Sequence, residues 1–166
     1  MTKQPTGCCK RRCRRIRETT RPAGQHVRQL LPHVLAITDP ARDAHPDNPT
    51  VPWLLDRAAT YLMTRGEPQP AQALFERAHQ QYRDMLGEDH PDTLKSASYL
   101  ALDLRALGHH EQARQLQQDT LTRRRRVLGE DHPRTLASAS NLVADLRALG
   151  QDDEATQLEE WVRYHS

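Results

Sequence analysis

A chain of 166 residues and 19.0 kDa accommodates one ordinary domain or a short repeat array. With 36% hydrophobic residues, a mean hydropathy of −0.86 and aromatics at only 4%, it excludes a large core around a buried cofactor and predicts a thin helical one. The formal charge of +2 divides into +7 over residues 1–21 and −5 over the rest, which excludes a generally basic nucleic-acid-binding domain and leaves only the N-terminal tail for such contacts.

Residues 1–22 lack hydrophobic periodicity and are predicted to be a disordered basic tail. Its basic run, Lys10 to Arg17, could contact nucleic acid through counterion release, which is one alternative function. Cys8, Cys9 and Cys13 are odd in number and too close together for a disulfide framework, and with His26 they do not match standard zinc spacings. A reducing, cytoplasmic location is expected. No apolar stretch follows the basic start as in a signal peptide, and the longest apolar cluster, Leu30 to Ile37, is interrupted by Pro32 and His33. Residues 23–49 read as an N-terminal capping helix, with Val27, Leu30, Leu31, Val34 and Leu35 on its apolar positions, followed by a loop before the first repeat with Pro40, Pro46, Pro49 and Pro52.

From residue 50 onward the chain repeats. Leu86-Gly87-Glu88-Asp89-His90-Pro91 returns as Leu128-Gly129-Glu130-Asp131-His132-Pro133, and residues 86–108 match 128–150 at 18 of 23 positions. A more divergent first copy is in register, with Gly66, Gly108 and Gly150 aligned, as are Ala71, Ala113 and Ala155. Three copies of a 42-residue unit are predicted, over about 50–86, 91–128 and 133–165.

Each copy reads as two helices. Pro91 suits a first helical position, and Asp92 puts a carboxylate against the positive helix start. Leu94, Ala97, Leu100, Ala101, Leu104 and Leu107 then recur at helical spacing until Gly108 caps the helix. The second helix of the first copy carries Ala71, Leu74, Phe75, Ala78, Tyr82 and Leu86 on one stripe, with Pro70 marking its start and Gly87 its end. A single hairpin cannot bury its apolar face, so the copies must stack into a solenoid.

These residues resemble the tetratricopeptide repeat. Ala71, Ala113 and Ala155 match the family's small residue of the second helix, and Ala59, Ala101 and Val143 its position of closest helix approach. The 42-residue period and the Leu-Gly-Glu-Asp-His-Pro junction are similar to the kinesin light chain type, as found in actinobacterial arrays associated with NB-ARC/STAND signalling proteins. The resemblance implies an all-α, right-handed superhelical solenoid of helical hairpins. It also implies a non-catalytic scaffold or adaptor that binds a protein or peptide partner in its concave groove. An alternative is a detached regulatory sensor tail of a STAND/NB-ARC signalling NTPase, although the chain has no phosphate-binding glycine-lysine motif of its own. By alignment with the family, the groove falls to Trp53, Asp56, Arg57, Thr60, Lys95, Ser98, Tyr99, Leu102, Ser140, Asn141 and Ala144.

Chemistry at the remaining polar clusters is outweighed by structural roles. His90 and His132 recur one repeat apart rather than converging, so they are read as shaping the turn before each proline, not as metal ligands. His109-His110-Glu111 lacks the His-Glu-x-x-His spacing that places two ligands on one helix face. The Arg123–Arg126 run is placed at a helix C-terminus, where cations complement the dipole. No nucleophile, base and orienting group converge, and no catalytic residue, cofactor or metal is expected. The last helix carries Leu158, Trp161 and Val162 with no following repeat to cover them, which predicts an association surface and a homo-oligomer.

Overall fold

Leucine, alanine and threonine at helical spacing, with proline at or just before the start of four runs and glycine after five, give six helices and no strand among the described residues. The structure is a computed structural model that describes residues 50–166 and three helical positions upstream, Pro32, His33 and Ala36. The expected basic tail, the remainder of the capping helix and the proline-rich loop lie outside the described residues. The helices are α1 (Thr50–Thr64), α2 (Pro68–Leu86), α3 (Pro91–Ala106), α4 (His110–Leu128), α5 (Pro133–Ala148) and α6 (Asp152–Tyr164). α2 starts at Pro68, two residues before the start read from Pro70, because the first turn of a helix needs no N–H from either proline.

The repeated junction has a repeated physical role. His90 and His132 are extended residues capping α3 and α5, and each Nδ1 accepts the backbone N–H two residues on, from Asp92 at 3.2 Å and Arg134 at 3.1 Å. Both histidines therefore act in the turn, as their repetition implies. Thr93 and Thr135 donate their hydroxyls to the carbonyls of Gly87 and Gly129 at 2.8 Å, tying each first helix to the loop before it. At the other end of α3, Gly108 has φ +84° and the His109 N–H reaches back to the Leu104 carbonyl at 2.8 Å. A Cβ at Gly108 would meet nothing within 4 Å, so the left-handed backbone, not crowding, requires glycine there.

Each helix packs on the next along the chain, and the first helices also touch one another, α1 with α3 and α3 with α5. The result is a stack of three hairpins whose first helices share one face. Ala59 and Ala101 are buried where helices meet, and Ala71, Ala113 and Ala155 are fully buried in the second helices. Around them, Leu62, Phe75, Leu100 and Leu104 form a core bridging the first two hairpins. Leu121, Leu142, Val143 and Leu146 form its counterpart between the second and third. Full burial of such side chains contributes about 1.5–3 kcal/mol each, which makes stacking the main source of stability.

Candidate functional site

The face shared by α1, α3 and α5 carries the residues expected for a groove, and their exposure differs. Trp53 is 50% exposed with the Arg57 guanidinium over its ring at 5.8 Å. Thr60, one turn on, donates its hydroxyl to the Asp56 carbonyl at 2.7 Å. On α3, Lys95 lies over the Tyr99 ring at 5.7 Å, and Tyr99 is half-buried against Phe75 at 6.0 Å. Leu102 is half-buried, as is Asn141 on α5, while Ser140 and Ala144 are exposed. Asp56 and Ser98 do not line this surface. Both are buried between hairpins, where Asp56 accepts from Ser96 at 3.1 Å and desolvation pushes its carboxyl up to about 6. Alignment places them on an exposed stripe, but the next first helix packs over them.

Between hairpins lies a set of buried polar residues that the alignment does not single out. Arg105 on α3 donates to the Asp145 carboxylate and to the Asn141 carbonyl on α5, each at 3.3 Å. Burial raises the Asp145 carboxyl from its ordinary range, and Arg105 opposes the shift. Asp103, one repeat earlier, is fully buried with neither oxygen hydrogen-bonded, and desolvation raises it to about 6. Gln117 is likewise fully buried with its amide unpartnered. Arg124 is buried too, donating to the Leu94 carbonyl at 2.8 Å, the Arg134 carbonyl at 3.1 Å and the Ser138 hydroxyl. Desolvation lowers its guanidinium to about 10.

The arginine run at the end of α4 is used internally. Arg123 pairs with Asp119 at 2.7 Å, Glu88 at 2.5 Å and Asp89 at 3.1 Å, and Arg126 pairs with Asp89 at 2.5 Å. His165 occupies the corresponding place one repeat on, 2.7 Å from Asp131 and 3.7 Å from Glu130. The acidic pair of each junction thus meets a basic side chain at the C-terminal end of the hairpin that follows it, and Glu88 also pairs with Arg83 of α2 at 2.7 Å. The signal available in the sequence was the common 42-residue offset of Arg123 and His165 and of the two Glu-Asp pairs.

Two cavities of about 310 Å³ occupy comparable grooves, each with a mixed polar and apolar lining. The first, between α2, α3 and α4, sets His79, Arg83, Glu88, Asp119 and Arg123 around Leu94, Ala97 and Leu116. The second, between α4, α5 and α6, sets Leu121, Leu142, Leu146, Leu158 and Trp161 beneath Arg125, with Gln118, Glu154 and Gln157 at its polar edge. Leu158, Trp161 and Val162 pack against the core of the third hairpin, and the Arg125 guanidinium stacks 4.0 Å from the Trp161 ring. They are half-buried rather than uncovered, because α6 turns its apolar stripe onto α5 and the end of α4. Tyr164, at 87% exposure, is the open aromatic of that helix.

No group of three or more His, Cys, Asp or Glu side chains among the described residues could hold a metal ion. No described helix is long and apolar enough to cross a membrane.

The tetratricopeptide repeat family profile matches residues 53–92, 93–134 and 135–160. Two crystal structures of a Podosopora anserina kinesin light chain candidate with nearly identical tetratricopeptide-like repeats are similar to this chain. They share 30% and 29% identity at TM-scores of 0.75 and 0.74, over 86% of this chain. The fold of BtubC (BKLC) from P. vanneervenii is also similar, with a TM-score of 0.74 and 14% identity over 85% of this chain. The chain spans 66% of the length of the first two and 57% of the third. No curated protein matches it.

Proposed function

Because the chain belongs to the tetratricopeptide repeat family, in its kinesin light chain type, we propose that it is a non-catalytic scaffold that binds a peptide segment or domain of a partner protein along α1, α3 and α5. Repeats of this family indicate a protein-interaction scaffold in general. The finer reading rests on one observation, the half-exposed Trp53 stacked by Arg57 on the face shared by the first helices. A large aromatic kept at the surface by a cation presents apolar area at low conformational cost, which is the chemistry of an interface anchor. Lys95 over Tyr99 supplies a second aromatic and cation pair one repeat away. Thr60, Leu102 and Asn141 supply small, apolar and amide contacts between and beyond them.

The test is affinity capture with the full chain beside Trp53→Ala and Lys95→Ala variants, each checked for helical content. Partners captured by the wild type should be lost or weakened about tenfold or more in Trp53→Ala, as truncation of an aromatic anchor does. Capture that both variants retain undiminished would reject this face as the site.

A further inference from the structure

The outer side of the third hairpin is the vacant counterpart of two interfaces that are filled elsewhere in the same molecule. Ser140, Val143, Glu159, Val162 and Arg163 line a cavity of about 290 Å³ there, with Ser140 and Arg163 exposed, Glu159 and Val162 half-buried and Val143 already buried at its floor. One repeat earlier the same positions are Ser98, Ala101, Gln117, Thr120 and Leu121, each at most 8% exposed. Two repeats earlier, Asp56, Ala59, Phe75 and Ala78 are buried in the same way. What covers this surface is in each case the first helix of the following hairpin, α3 on the first hairpin and α5 on the second.

The geometry points to head-to-tail self-association, in which the face formed by Ser140, Val143, Glu159, Val162 and Arg163 takes α1 of a second copy of this chain. Among the described helices α1 is the one first helix that no preceding hairpin supports. Its stripe corresponding to the contact stripe of α5 is Leu54, Arg57 and Tyr61, apolar and cationic, with Leu54 and Tyr61 half-buried and Arg57 exposed.

The repeat register specifies which residues meet. In the first interface Phe75 faces Tyr99 at 6.0 Å. The corresponding residues of the new interface are Glu159 and Arg57 of the second copy, an opposite-charge pair. Arg105 faces Asp145 in the second interface, and the corresponding pair is Arg147 with Tyr61, a cation and a phenol. Arg147 already holds Glu159 at 2.7 Å, so the carboxylate is positioned at the face before any second copy arrives. The site is continuous with the inter-repeat stacking that builds the monomer. A heterologous contact of this kind does not close on itself, so oligomers grow with concentration rather than stopping at a dimer.

Sedimentation velocity of the full chain over a concentration series tests this, with helical content verified for every variant. The wild-type weight-average mass should rise with concentration. Ser140→Arg obstructs the face from an exposed position and should abolish the rise. Glu159→Arg and Arg57→Glu each place like charges opposite one another and should weaken association about tenfold. An equimolar mixture of these two variants restores opposite charges at every junction and should recover it. Lys95→Ala changes a groove residue outside this face and should associate as the wild type does. A wild type that stays monomeric at all concentrations, association that survives Ser140→Arg, or a mixture that fails to recover would each overturn the inference.

Discussion

The Arg105 guanidinium lies 3.3 Å from the Asp145 carboxylate, joining the first helices of the second and third hairpins across a repeat boundary. The equivalent pair one repeat earlier would be position 63 with Asp103, and position 63 is Met63. Asp103 is therefore buried without a cation, whereas Asp145 has one. Arg105→Met reproduces the first boundary at the second and should destabilise the array by about 1–3 kcal/mol, the cost of a buried charged acceptor losing its donor. Urea unfolding followed by circular dichroism measures it, and an unchanged midpoint would show that the pair contributes nothing net.

Asp103 gives a pH dependence of defined sign. Its folded-state carboxyl is raised to about 6 against 3.8 for the free group, so between these values the folded chain binds more protons than the unfolded one. Stability from this group is therefore lost as pH rises through the window and is lowest above it. Asp56, also raised to about 6, acts in the same direction. Glu88, Asp89 and Glu111 are lowered by their arginine partners and act in the opposite direction, below the ordinary carboxylate range. Asp103→Asn should raise stability at pH 7 by on the order of 1–2 kcal/mol, with the gain shrinking toward pH 4.5. Melting temperatures of both proteins at pH 4.5, 5.5 and 7 check this, and a gain constant across that range would contradict it.

Arg124 closes the second interface by donating to α3 and α5 together. Arg124→Ala removes a buried cation and leaves the Leu94 and Arg134 carbonyls short of a donor. A loss of about 2–3 kcal/mol is expected, since hydrogen bonds to charged groups exceed neutral ones. Hydrogen exchange should show protection falling in α5 and α6 more than in α1 and α2, because nearest-neighbour coupling confines the damage. Uniform loss over all six helices would indicate a single cooperative unit instead.

Ala101 is 1% exposed at the meeting of α3 with its neighbours. Ala101→Trp overpacks that contact and should cost about 1–3 kcal/mol or more. A melting temperature equal to that of the wild type would remove Ala101 from the helix contact.

The helices and their ends were legible because their signals are local. Proline at a helix start, a glycine stop after it and a 3.6-residue apolar period each act within a few residues, and a near-identical second copy of the unit separates them from chance. The register was also legible, since Ala59, Ala101 and Val143 show which positions must be small or trimmed where helices approach. Direction of exposure at the groove was not. Asp56 and Ser98 align with surface positions, yet the following first helix covers them, a fact about neighbours 40 residues away. The tertiary structure alone also decided that Arg123 and Arg126 clamp a junction, that Asp103 lacks the cation Asp145 has, and that α6 turns Trp161 beneath Arg125. Each depends on which side chains meet across a repeat boundary, and those distances arise only when the hairpins stack.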